Sequence, residues 1–202
     1  MKNSVKSLVT GGAGFIGSNL VDQLVKKKHK VIVLDNFDTG RRSNLSHQVK
    51  KNVKIIKVDV SSNKYLDRYF KGVDYVFHLA GIADIVPSIE NPDKYFKSNV
   101  VGTLNVVQAA KKANIKKFIY AASASCYGIP VKFPIKENAK INLMYPYALT
   151  KWQAEELIMH WVKIYNFPAI SIRFFKGLFA NFCARKTPNT APYAPDVLDL
   201  GP

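Results

Sequence analysis

Cysteine, acidic residues and long apolar runs are scarce in this chain, and each shortage excludes a class of protein. Its 202 residues include two cysteines, Cys126 and Cys183, which are too few for a disulfide scaffold or a four-thiolate metal site. No apolar run reaches the roughly 20 residues that a membrane-spanning helix needs. Residues 1–20 imitate a signal peptide, but four glycines interrupt them. We therefore expect a cytoplasmic protein with no membrane partner and no bound metal.

Acidic residues are outnumbered by basic ones, since 30 Lys and Arg stand against 14 Asp and Glu and give a formal charge of +16. Such a balance raises the question of nucleic acid. The basic residues are scattered in pairs and triplets such as Lys26–Lys28, at the ends of predicted helices or before strands, where solvated lysines are ordinary. No basic block alternates with aromatic residues. We predict no nucleic-acid partner, and an anionic small molecule suits the charge equally well.

Strand-like and helix-like segments alternate along the first 175 residues, and 48% of the chain is hydrophobic, as in a folded domain. The expected strands are residues 7–10, 31–34, 53–60, 73–79, 118–121 and 169–175. The expected helices are residues 15–28, 93–113 and 147–165. Strands that alternate with helices imply right-handed crossovers and a parallel sheet covered on both faces. The prediction is a doubly wound α/β domain with six or more strands.

Apolar residues recur at helical spacing in the first and last of these helices. In the first helix they are Phe15, Ile16, Leu20, Leu24 and Val25. In the last helix they are Leu157, Ile158, Trp161 and Ile164. We expect these side chains to form the faces that pack on the sheet.

Residues 176–202 have a different composition from the rest of the chain. They hold four of the ten prolines, and no helical or alternating period fits them. Such a segment is typical of a loop or a tail. The predicted organisation is therefore one domain over residues 1–175 followed by an atypical proline-rich segment over residues 176–202.

A glycine-rich turn, TGGAGFIG, occupies residues 10–17, between the first strand and the first helix. It satisfies the spacing GxGxxG from Gly12 and GxxGxxG from Gly11. Glycine is needed in such a turn because the backbone bends tightly and must touch a pyrophosphate. The helix that follows offers free N–H donors and a partial positive charge to that phosphate. The turn therefore predicts a dinucleotide site.

Asp35 ends the second strand, 18 residues after Gly17, close to the spacing of about 20 expected for a ribose-binding carboxylate. A carboxylate at this point accepts a hydrogen bond from the adenosine-ribose 2′-hydroxyl and repels a 2′-phosphate, which favours NAD over NADP. Arg41 and Arg42 follow closely enough in sequence to leave NADP open.

Tyr147 and Lys151 are four residues apart on one face of a predicted helix. A tyrosine acts as a base near neutral pH only if its phenolate is stabilised by about 4 kcal/mol, which a fixed lysine or a positively charged nicotinamide ring can supply. Such a pair is common by chance. This one, however, follows the fifth strand, whose end carries the hydroxyls of Ser123 and Ser125 at the carboxyl edge where dinucleotides bind.

Over about residues 5–175 the chain resembles the extended short-chain dehydrogenase/reductases, in particular the NAD-dependent nucleotide-sugar epimerases and dehydratases with a Rossmann-like domain. Besides the glycine turn and the tyrosine–lysine pair, several short motifs carry the resemblance. They are Asp59-Val60, His78-Leu79-Ala80-Gly81, Asn99-Val100-Val101-Gly102-Thr103, Tyr145-Pro146-Tyr147 and Arg173-Phe174-Phe175.

The resemblance extends the candidate site beyond the glycine turn and Asp35. The cofactor-binding candidates are Gly11, Gly14, Phe15, Ile16, Gly17, Asp35, Asn36, Asp59, Val60, Leu79, Ala80, Gly81, Asn99, Tyr147 and Lys151. The catalytic candidates implied by the resemblance are Ser123, Tyr147 and Lys151, with Tyr147 as the base. Ser123, Ser125 and Tyr147 are the residues implied for the sugar.

The resemblance also bears on the reaction. Dehydratases of the family place an Asp-Glu pair directly after the catalytic hydroxyl, because elimination of water needs a further acid and base. Here those positions are Ala124 and Ser125. The resemblance therefore implies 4-epimerisation of a UDP-hexose or UDP-N-acetylhexosamine through a 4-keto sugar, with NAD regenerated in each cycle. A uronate epimerase, a dehydratase or a catalytically silent NAD-binding fragment are the alternatives.

Several other residues have ordinary structural interpretations. His78 ends an apolar strand and is expected to be a buried or hydrogen-bonded core histidine. Cys126, Trp152 and Trp161 are expected to pack in the interior or between helices. In the family, helices equivalent to residues 93–113 and 147–165 form a homodimer, which we expect here too.

The chain departs from the family after Phe175. Family members continue with Asn-x-Tyr-Gly-Pro and a smaller substrate-binding domain, whereas this chain has Lys176 in place of that asparagine and stops at Pro202. A substrate domain needs on the order of a hundred more residues. We therefore expect a chain that binds NAD but has part of its sugar site missing.

Overall fold

Six parallel strands form the centre of the molecule. The computed structural model describes residues 4–48, 52–62, 65–130 and 132–175. The strands are β1 (Lys6–Thr10), β2 (Lys30–Asp35), β3 (Val53–Lys57), β4 (Tyr75–His78), β5 (Lys117–Ser123) and β6 (Ala169–Phe174). Their order in the sheet is β3-β2-β1-β4-β5-β6, so the chain turns back at β1 and β4. This order confirms the predicted doubly wound fold, and ligands bind such sheets at the carboxyl ends of the strands where the order reverses.

Helical segments connect the strands and cover the sheet. The α-helices are α1 (Phe15–Lys26), α2 (Asp67–Phe70), α3 (Val86–Glu90), α4 (Pro92–Phe96), α5 (Gly102–Lys112) and α6 (Pro146–Tyr165). Two 3₁₀ segments, Arg42–Gln48 and Ala124–Tyr127, follow β2 and β5. A π-helical turn, Lys97–Val101, joins α4 to α5, so the helix predicted over residues 93–113 is interrupted by a wider turn. Such turns occur often at functional sites.

The two faces of the sheet carry separate apolar clusters. The larger cluster lies under α5 and α6 and includes Leu8, Leu34, Phe70, Val76, Val106, Phe118, Tyr120 and Ile158. The smaller cluster lies under α1 and includes Val9, Val21, Leu24, Val31, Val33 and Leu45. Both faces of the central strands are therefore covered, which explains their continuous β-branched runs.

The predicted buried faces of two helices need correction. Phe15 is 44% exposed, because α1 approaches the sheet through Gly17 and Val21 rather than through its first side chain. Ile164 is 54% exposed. The buried face of α6 includes Lys151 and Glu155, since this helix lines the site as well as the core. Apolar spacing alone could not reveal a face that buries charged residues.

Smaller differences concern boundaries and the end of the chain. The strand predicted over residues 53–60 ends at Lys57, where the backbone turns toward the end of β2. Trp161 is partly buried against the larger cluster and packs on Phe167, as expected. The proline-rich segment predicted over residues 176–202 lies outside the described residues. No helix in the described ranges is both long and apolar enough to cross a membrane.

Candidate functional site

The glycine turn is held by contacts that leave no room for side chains. Gly11 has φ +66°, and a Cβ there would lie 2.7 Å from the backbone nitrogen of Ala80. A Cβ on Gly17 would lie 2.2 Å from the carbonyl oxygen of Gly11. The amide of Gly11 also donates to the carbonyl of Leu34 at 2.8 Å. The turn is therefore packed against β2 and the end of β4, and glycine is a steric requirement at both positions.

The first turn of α1 points its backbone donors out of the sheet edge. Gly14 is the N-cap residue and provides no side-chain cap. The amides of Phe15, Ile16 and Gly17 consequently have no acceptor within the helix. Together with the helix dipole, these donors favour a phosphate at this point.

Asp35 fastens the glycine turn to the end of β2. Its Oδ2 accepts a hydrogen bond from the amide of Ala13 at 2.8 Å, and its Oδ1 accepts one from the amide of Phe37 at 2.8 Å. The side chain is buried. Each carboxylate oxygen has a second lone pair, so Asp35 can still accept a ribose hydroxyl while it holds the turn.

A cavity of about 350 Å³ runs from the glycine turn along the carboxyl ends of β2, β3 and β4. Nine of the predicted cofactor residues line it. They are Gly11, Gly14, Asp35, Asn36, Asp59, Val60, Leu79, Ala80 and Gly81. The structure does not place Phe15, Ile16, Gly17, Asn99, Tyr147 or Lys151 in its walls.

The cavity also has walls that the sequence analysis did not single out. They are formed by the loop after β2 and by one side of α4 and the π-helical turn, with Asp38, Thr39, Gly40, Lys94, Lys97 and Ser98. Lys94 and Asp38 form a salt bridge of 2.9 Å across this opening. These additional residues are close in sequence to Asp35 and Asn99, which could have pointed to them. Which side of the helix faces the cavity depends on packing and could not be predicted.

Asp59 is arranged as an acceptor at the far end of the cavity. Its Oδ1 accepts hydrogen bonds from the amide and hydroxyl of Ser61 at 2.8 and 2.7 Å. Burial raises the pKa of Asp59. The hydrogen bonds from Ser61 and Asn36 and the charge of Lys97 together lower it by more, so the net pKa lies below its ordinary value. Asp59 is therefore an ionised carboxylate at neutral pH.

Asn99 lies in the π-helical turn and acts as a clamp. Its Oδ1 accepts from the amide of Ile82 at 2.9 Å, and its Nδ2 donates to the carbonyl of Ile82 and to Oγ1 of Thr150, each at 3.1 Å. A Cβ on Gly81 would lie 2.8 Å from that Oδ1. Asn99 thus holds the loop after β4 against α6, and its amide has no donor left for another partner.

The side chains of Tyr147 and Ser123 come near each other at the end of β5. Burial raises the pKa of Tyr147 above its ordinary value, the nearby hydroxyl of Ser123 lowers it, and the charge of Asp84 raises it. Tyr95 packs edge-on against the Tyr147 ring with centroids 6.4 Å apart. The fold therefore brings Ser123 and Tyr147 near each other, with Tyr147 protonated at neutral pH.

Lys151 is buried one turn further along α6. Its Nζ donates to the carbonyl of Ala121 at 2.6 Å and lies 4.3 Å from the centre of the Tyr120 ring. Burial lowers the pKa of Lys151 to about 7, and the carboxylate of Glu155 opposes that shift. A Cβ on Gly81 would lie 4.0 Å from this Nζ, so Lys151 lies beside Gly81, which lines the cavity, without lining it itself.

The segment after Ser123 carries no carboxylate. Ala124 and Ser125 belong to the 3₁₀ segment, and the amide of Ser125 donates to Oγ of Ser123 at 3.2 Å. The hydroxyl of Ser125 is buried without a hydrogen-bond partner. Cys126 is buried as expected, and burial raises the pKa of its thiol. Among the described residues, no group of three or more His, Cys, Asp or Glu could hold a metal ion.

An ion pair braces the rim of the site. Arg173 on β6 donates through Nε to both carboxylate oxygens of Glu155, at 3.1 and 3.0 Å. The same guanidinium donates to the hydroxyl of Tyr127 and to the carbonyl of Glu137. Arg173 therefore ties β6, α6 and the segment after β5 together.

Asp84 lies in the loop between β4 and α3, and the sequence analysis did not single it out. It has φ +86°, a conformation that is strained for a residue with a side chain. It is exposed, and its charge raises the pKa of both Tyr95 and Tyr147. No spacing in the sequence connects residue 84 with residue 147, and only the fold brings them near each other.

Comparison with known proteins agrees with this geometry. The model of the NAD dependent epimerase/dehydratase family matches residues 7–189. A putative UDP-glucose 4-epimerase of Methanocaldococcus jannaschii is 37% identical over 170 residues, which are 83% of this chain and 54% of that protein. A bifunctional UDP-glucose and UDP-xylose 4-epimerase of Pisum sativum is 37% identical over 164 residues, 77% of this chain and 47% of that protein. The chain spans about half the length of the curated relatives it matches.

Solved structures give the same result. A UDP-N-acetylglucosamine 4-epimerase from Methanobrevibacter ruminantium, in complex with UDP-N-acetylmuramic acid, superposes with a TM-score of 0.81 and 35% identity over 85% of this chain and 55% of that one. A UDP-glucose 4-epimerase from Brucella ovis, in complex with NAD, superposes with a TM-score of 0.78 and 29% identity over 85% of this chain and 52% of that one.

Proposed function

The chain belongs to the NAD dependent epimerase/dehydratase family, and from this premise we propose that it is the NAD-binding and catalytic part of a nucleotide-sugar 4-epimerase. The proposed substrate is a UDP-hexose or UDP-N-acetylhexosamine. Relatives named for UDP-glucose and UDP-N-acetylglucosamine 4-epimerisation support this class. The proposal covers the part of the protein that this chain contains, about half the length of its relatives.

The observation that carries the proposal is that Ser123 and Tyr147 come near each other at the end of β5, at the same edge of the sheet as the cofactor cavity. Gly81 lines the cavity, and Lys151 lies next to Gly81. A phenol, a hydroxyl and an ammonium are thus within one small region at the carboxyl edge of the sheet. This set of groups suits proton removal from a sugar hydroxyl.

The residues of the cavity fit NAD. Gly11 and Gly17 keep the backbone free of side chains where a pyrophosphate must approach, and the first-turn amides of α1 face it. Asp35 would accept an adenosine-ribose hydroxyl and disfavour a 2′-phosphate. The guanidinium of Arg42, which left NADP open in the sequence, lies over the Phe37 ring, 4.6 Å from its centre.

When bound, the nicotinamide accepts and returns a hydride and adds a positive charge to the site. Tyr147 would remove the proton of the C4 hydroxyl, with Ser123 hydrogen-bonded to the same oxygen. Lys151 would donate to the nicotinamide ribose and stabilise the phenolate of Tyr147 in its charged form. After the 4-keto sugar turns over, the hydride would return to the opposite face of C4 and Tyr147 would return the proton to the C4 oxygen.

Dehydration is disfavoured by the chemistry of the same rim. Ala124 and Ser125 supply no acid or base for expelling water, and the carboxylate of Glu155 is paired with Arg173. A catalytically silent NAD-binding fragment is the second candidate. The homodimer expected through residues 93–113 and 147–165 stays a prediction.

Proton NMR of the purified chain with NAD⁺ and a panel of UDP-hexoses tests the proposal. We expect the C4 epimer to accumulate over hours with the wild-type chain and not with Tyr147→Phe. A 4-keto-6-deoxy product would contradict the proposed reaction. NAD binding without any conversion would instead support the silent fragment.

A further inference from the structure

His78 is fully buried and forms two hydrogen bonds that connect different parts of the site. At the end of β4, its Nδ1 lies 2.7 Å from Oγ1 of Thr10, the last residue of β1 before the glycine turn. Its Nε2 lies 2.8 Å from Oγ1 of Thr103 on α5. Both threonines are also buried. The imidazole therefore bridges the strand that enters the glycine turn and the helix that follows the π-helical turn.

The neighbouring hydrogen bonds determine which nitrogen carries the proton. Thr103 uses its only hydroxyl proton to donate to the carbonyl of Asn99 at 2.6 Å, so it must accept from Nε2 of His78. Thr10 already accepts from the amides of Leu79 and Ala80, at 3.2 and 3.1 Å, so it donates its proton to Nδ1. The only assignment that satisfies every group is a neutral imidazole with the proton on Nε2.

The electrostatics of the position agree with a neutral ring. Burial, with a smaller contribution from the charge of Lys151, lowers the pKa of His78 to about 3. The ring also stacks on Tyr120 with centroids 5.6 Å apart. A protonated imidazole would need a second acceptor at Nδ1, and Thr10 can act as one only by giving up its present arrangement.

The same chain of hydrogen bonds continues to the catalytic helix. Thr103 holds the backbone of Asn99, and the Asn99 side chain holds both backbone groups of Ile82 and the hydroxyl of Thr150. Thr150 in turn donates to the carbonyl of Tyr147 at 3.0 Å. His78 thus lies between the backbone that would carry the dinucleotide and the turn that holds α6.

We propose that His78 is a positioning residue that sets the spacing between the glycine turn and the π-helical turn. It would thereby fix where the dinucleotide binds beside Tyr147. This role rests on the proposed function, although His78 itself is fully buried and does not line the cavity. Its two hydrogen bonds act on different parts of the site. The bond with Thr10 positions the hydroxyl that accepts from the amides of Leu79 and Ala80, and the bond with Thr103 positions the π-helical turn.

Two readouts on the full chain test the role without requiring turnover. ¹⁵N NMR of histidine-labelled protein is expected to show His78 with a protonated Nε2 and an unprotonated Nδ1. Isothermal titration with NAD⁺ is expected to show about tenfold weaker binding for Thr103→Val, which keeps the side-chain shape but removes the hydroxyl that accepts from His78 and donates to the carbonyl of Asn99. Thr103→Ser, which keeps the hydroxyl, is expected to restore most of the affinity.

Substitutions of His78 distinguish the effect of the hydrogen bond with Thr10 from the effect of the one with Thr103. His78→Gln can still donate toward Thr103, and His78→Asn can still accept from Thr10, so each is expected to weaken NAD⁺ binding less than His78→Leu. A proton on Nδ1 would overturn the proposal. So would unchanged NAD⁺ affinity in folded Thr103→Val, even if its melting temperature fell. If these variants weaken NAD⁺ binding as expected but the wild-type chain converts no sugar, the epimerase function is contradicted and the positioning role of His78 is retained.

Discussion

The two sides of the candidate site are built from different parts of the chain, one from backbone and the other from side chains. The glycine-turn side consists of backbone packed so closely that a Cβ on Gly17 would lie 2.2 Å from a carbonyl oxygen. The catalytic side consists of side chains, with Lys151 buried on α6 and Tyr147 near Ser123. The first side is limited by space, and the second by the cost of burying groups that can ionise.

This difference predicts different responses to mutation and pH. A Cβ added to a glycine of the turn would collide with neighbouring backbone, so the substitution should disturb both the fold and NAD binding. A changed side chain on the catalytic side should leave the fold intact and change the chemistry. On the catalytic side, burial brings the pKa of Lys151 to about 7, so the charge of this group changes near neutral pH.

The largest effect is expected for Gly17→Ala. Its Cβ would meet Gly11 and Gly12 backbone at 2.2 and 2.6 Å, so the turn must move. We expect a loss of roughly 3 kcal/mol of stability, at the upper end of overpacking effects, and loss of measurable NAD⁺ binding by calorimetry. Gly72→Ala is the control, since a Cβ there meets nothing within 4 Å, and its φ of +69° should cost only about 1 kcal/mol. Equal damage from both variants would refute the steric explanation.

The second effect concerns the catalytic side alone. Tyr147→Phe removes the phenol that would transfer the proton, so kcat should fall by about 10²- to 10⁴-fold. NAD⁺ affinity and the melting temperature should stay close to the wild-type values, because the ring still packs beside Tyr95. The measurement is C4 epimer formation by NMR alongside calorimetry with NAD⁺. Retained turnover would exclude Tyr147 as the base.

The third effect is a pH dependence of stability that comes from Lys151. Its pKa is about 7 in the folded chain and lies near 10.5 when exposed, so the unfolded chain binds more protons between these values. Stability should therefore rise with pH in this window, by at most about 1.4 kcal/mol per pH unit from this group. Lys151→Met should lose that rise in urea unfolding curves measured between pH 7 and 9. Lys163→Met, an exposed lysine on the same helix, should keep the wild-type slope, and a loss there would remove the explanation.

The smallest effect is expected for Asp84→Asn. The exposed Asp84 carboxylate raises the pKa of Tyr147, so its removal should shift the acidic limb of the kcat/KM profile to lower pH by a few tenths of a unit. High salt should produce the same shift in the wild-type chain, because it screens an exposed charge. Asp93→Asn, on α4, is the control. A shift in the opposite direction would show that Asp84 acts by another route.

Local patterns predicted the backbone side well. The glycine spacing of residues 10–17 and the position of Asp35 located two walls of the cavity, because these features depend on residues close in sequence. The alternation of strands and helices likewise indicated the sheet, including its parallel strands. The boundaries moved by a few residues, and the face of α1 was wrong at Phe15.

The connections of the catalytic side could not be predicted in the same way. Asn99 was expected to line the cofactor, but its amide is used by Ile82 and Thr150, one of them 51 residues away. His78 was expected to be a hydrogen-bonded core residue, which is confirmed, yet its partners Thr10 and Thr103 come from other elements. No short-range pattern contains these pairs.

The sequence by itself determined the order of strands and helices, the glycine turn with its acidic partner, and the absence of a carboxylate pair after Ser123. These properties follow from residue type and local spacing, through sterics and hydrogen bonding over a few residues. Tertiary structure alone decided the tautomer of His78, the depressed pKa of Lys151 and the nearness of Asp84 to Tyr147. Those properties depend on burial and on groups distant in sequence, and both exist only after the chain has packed.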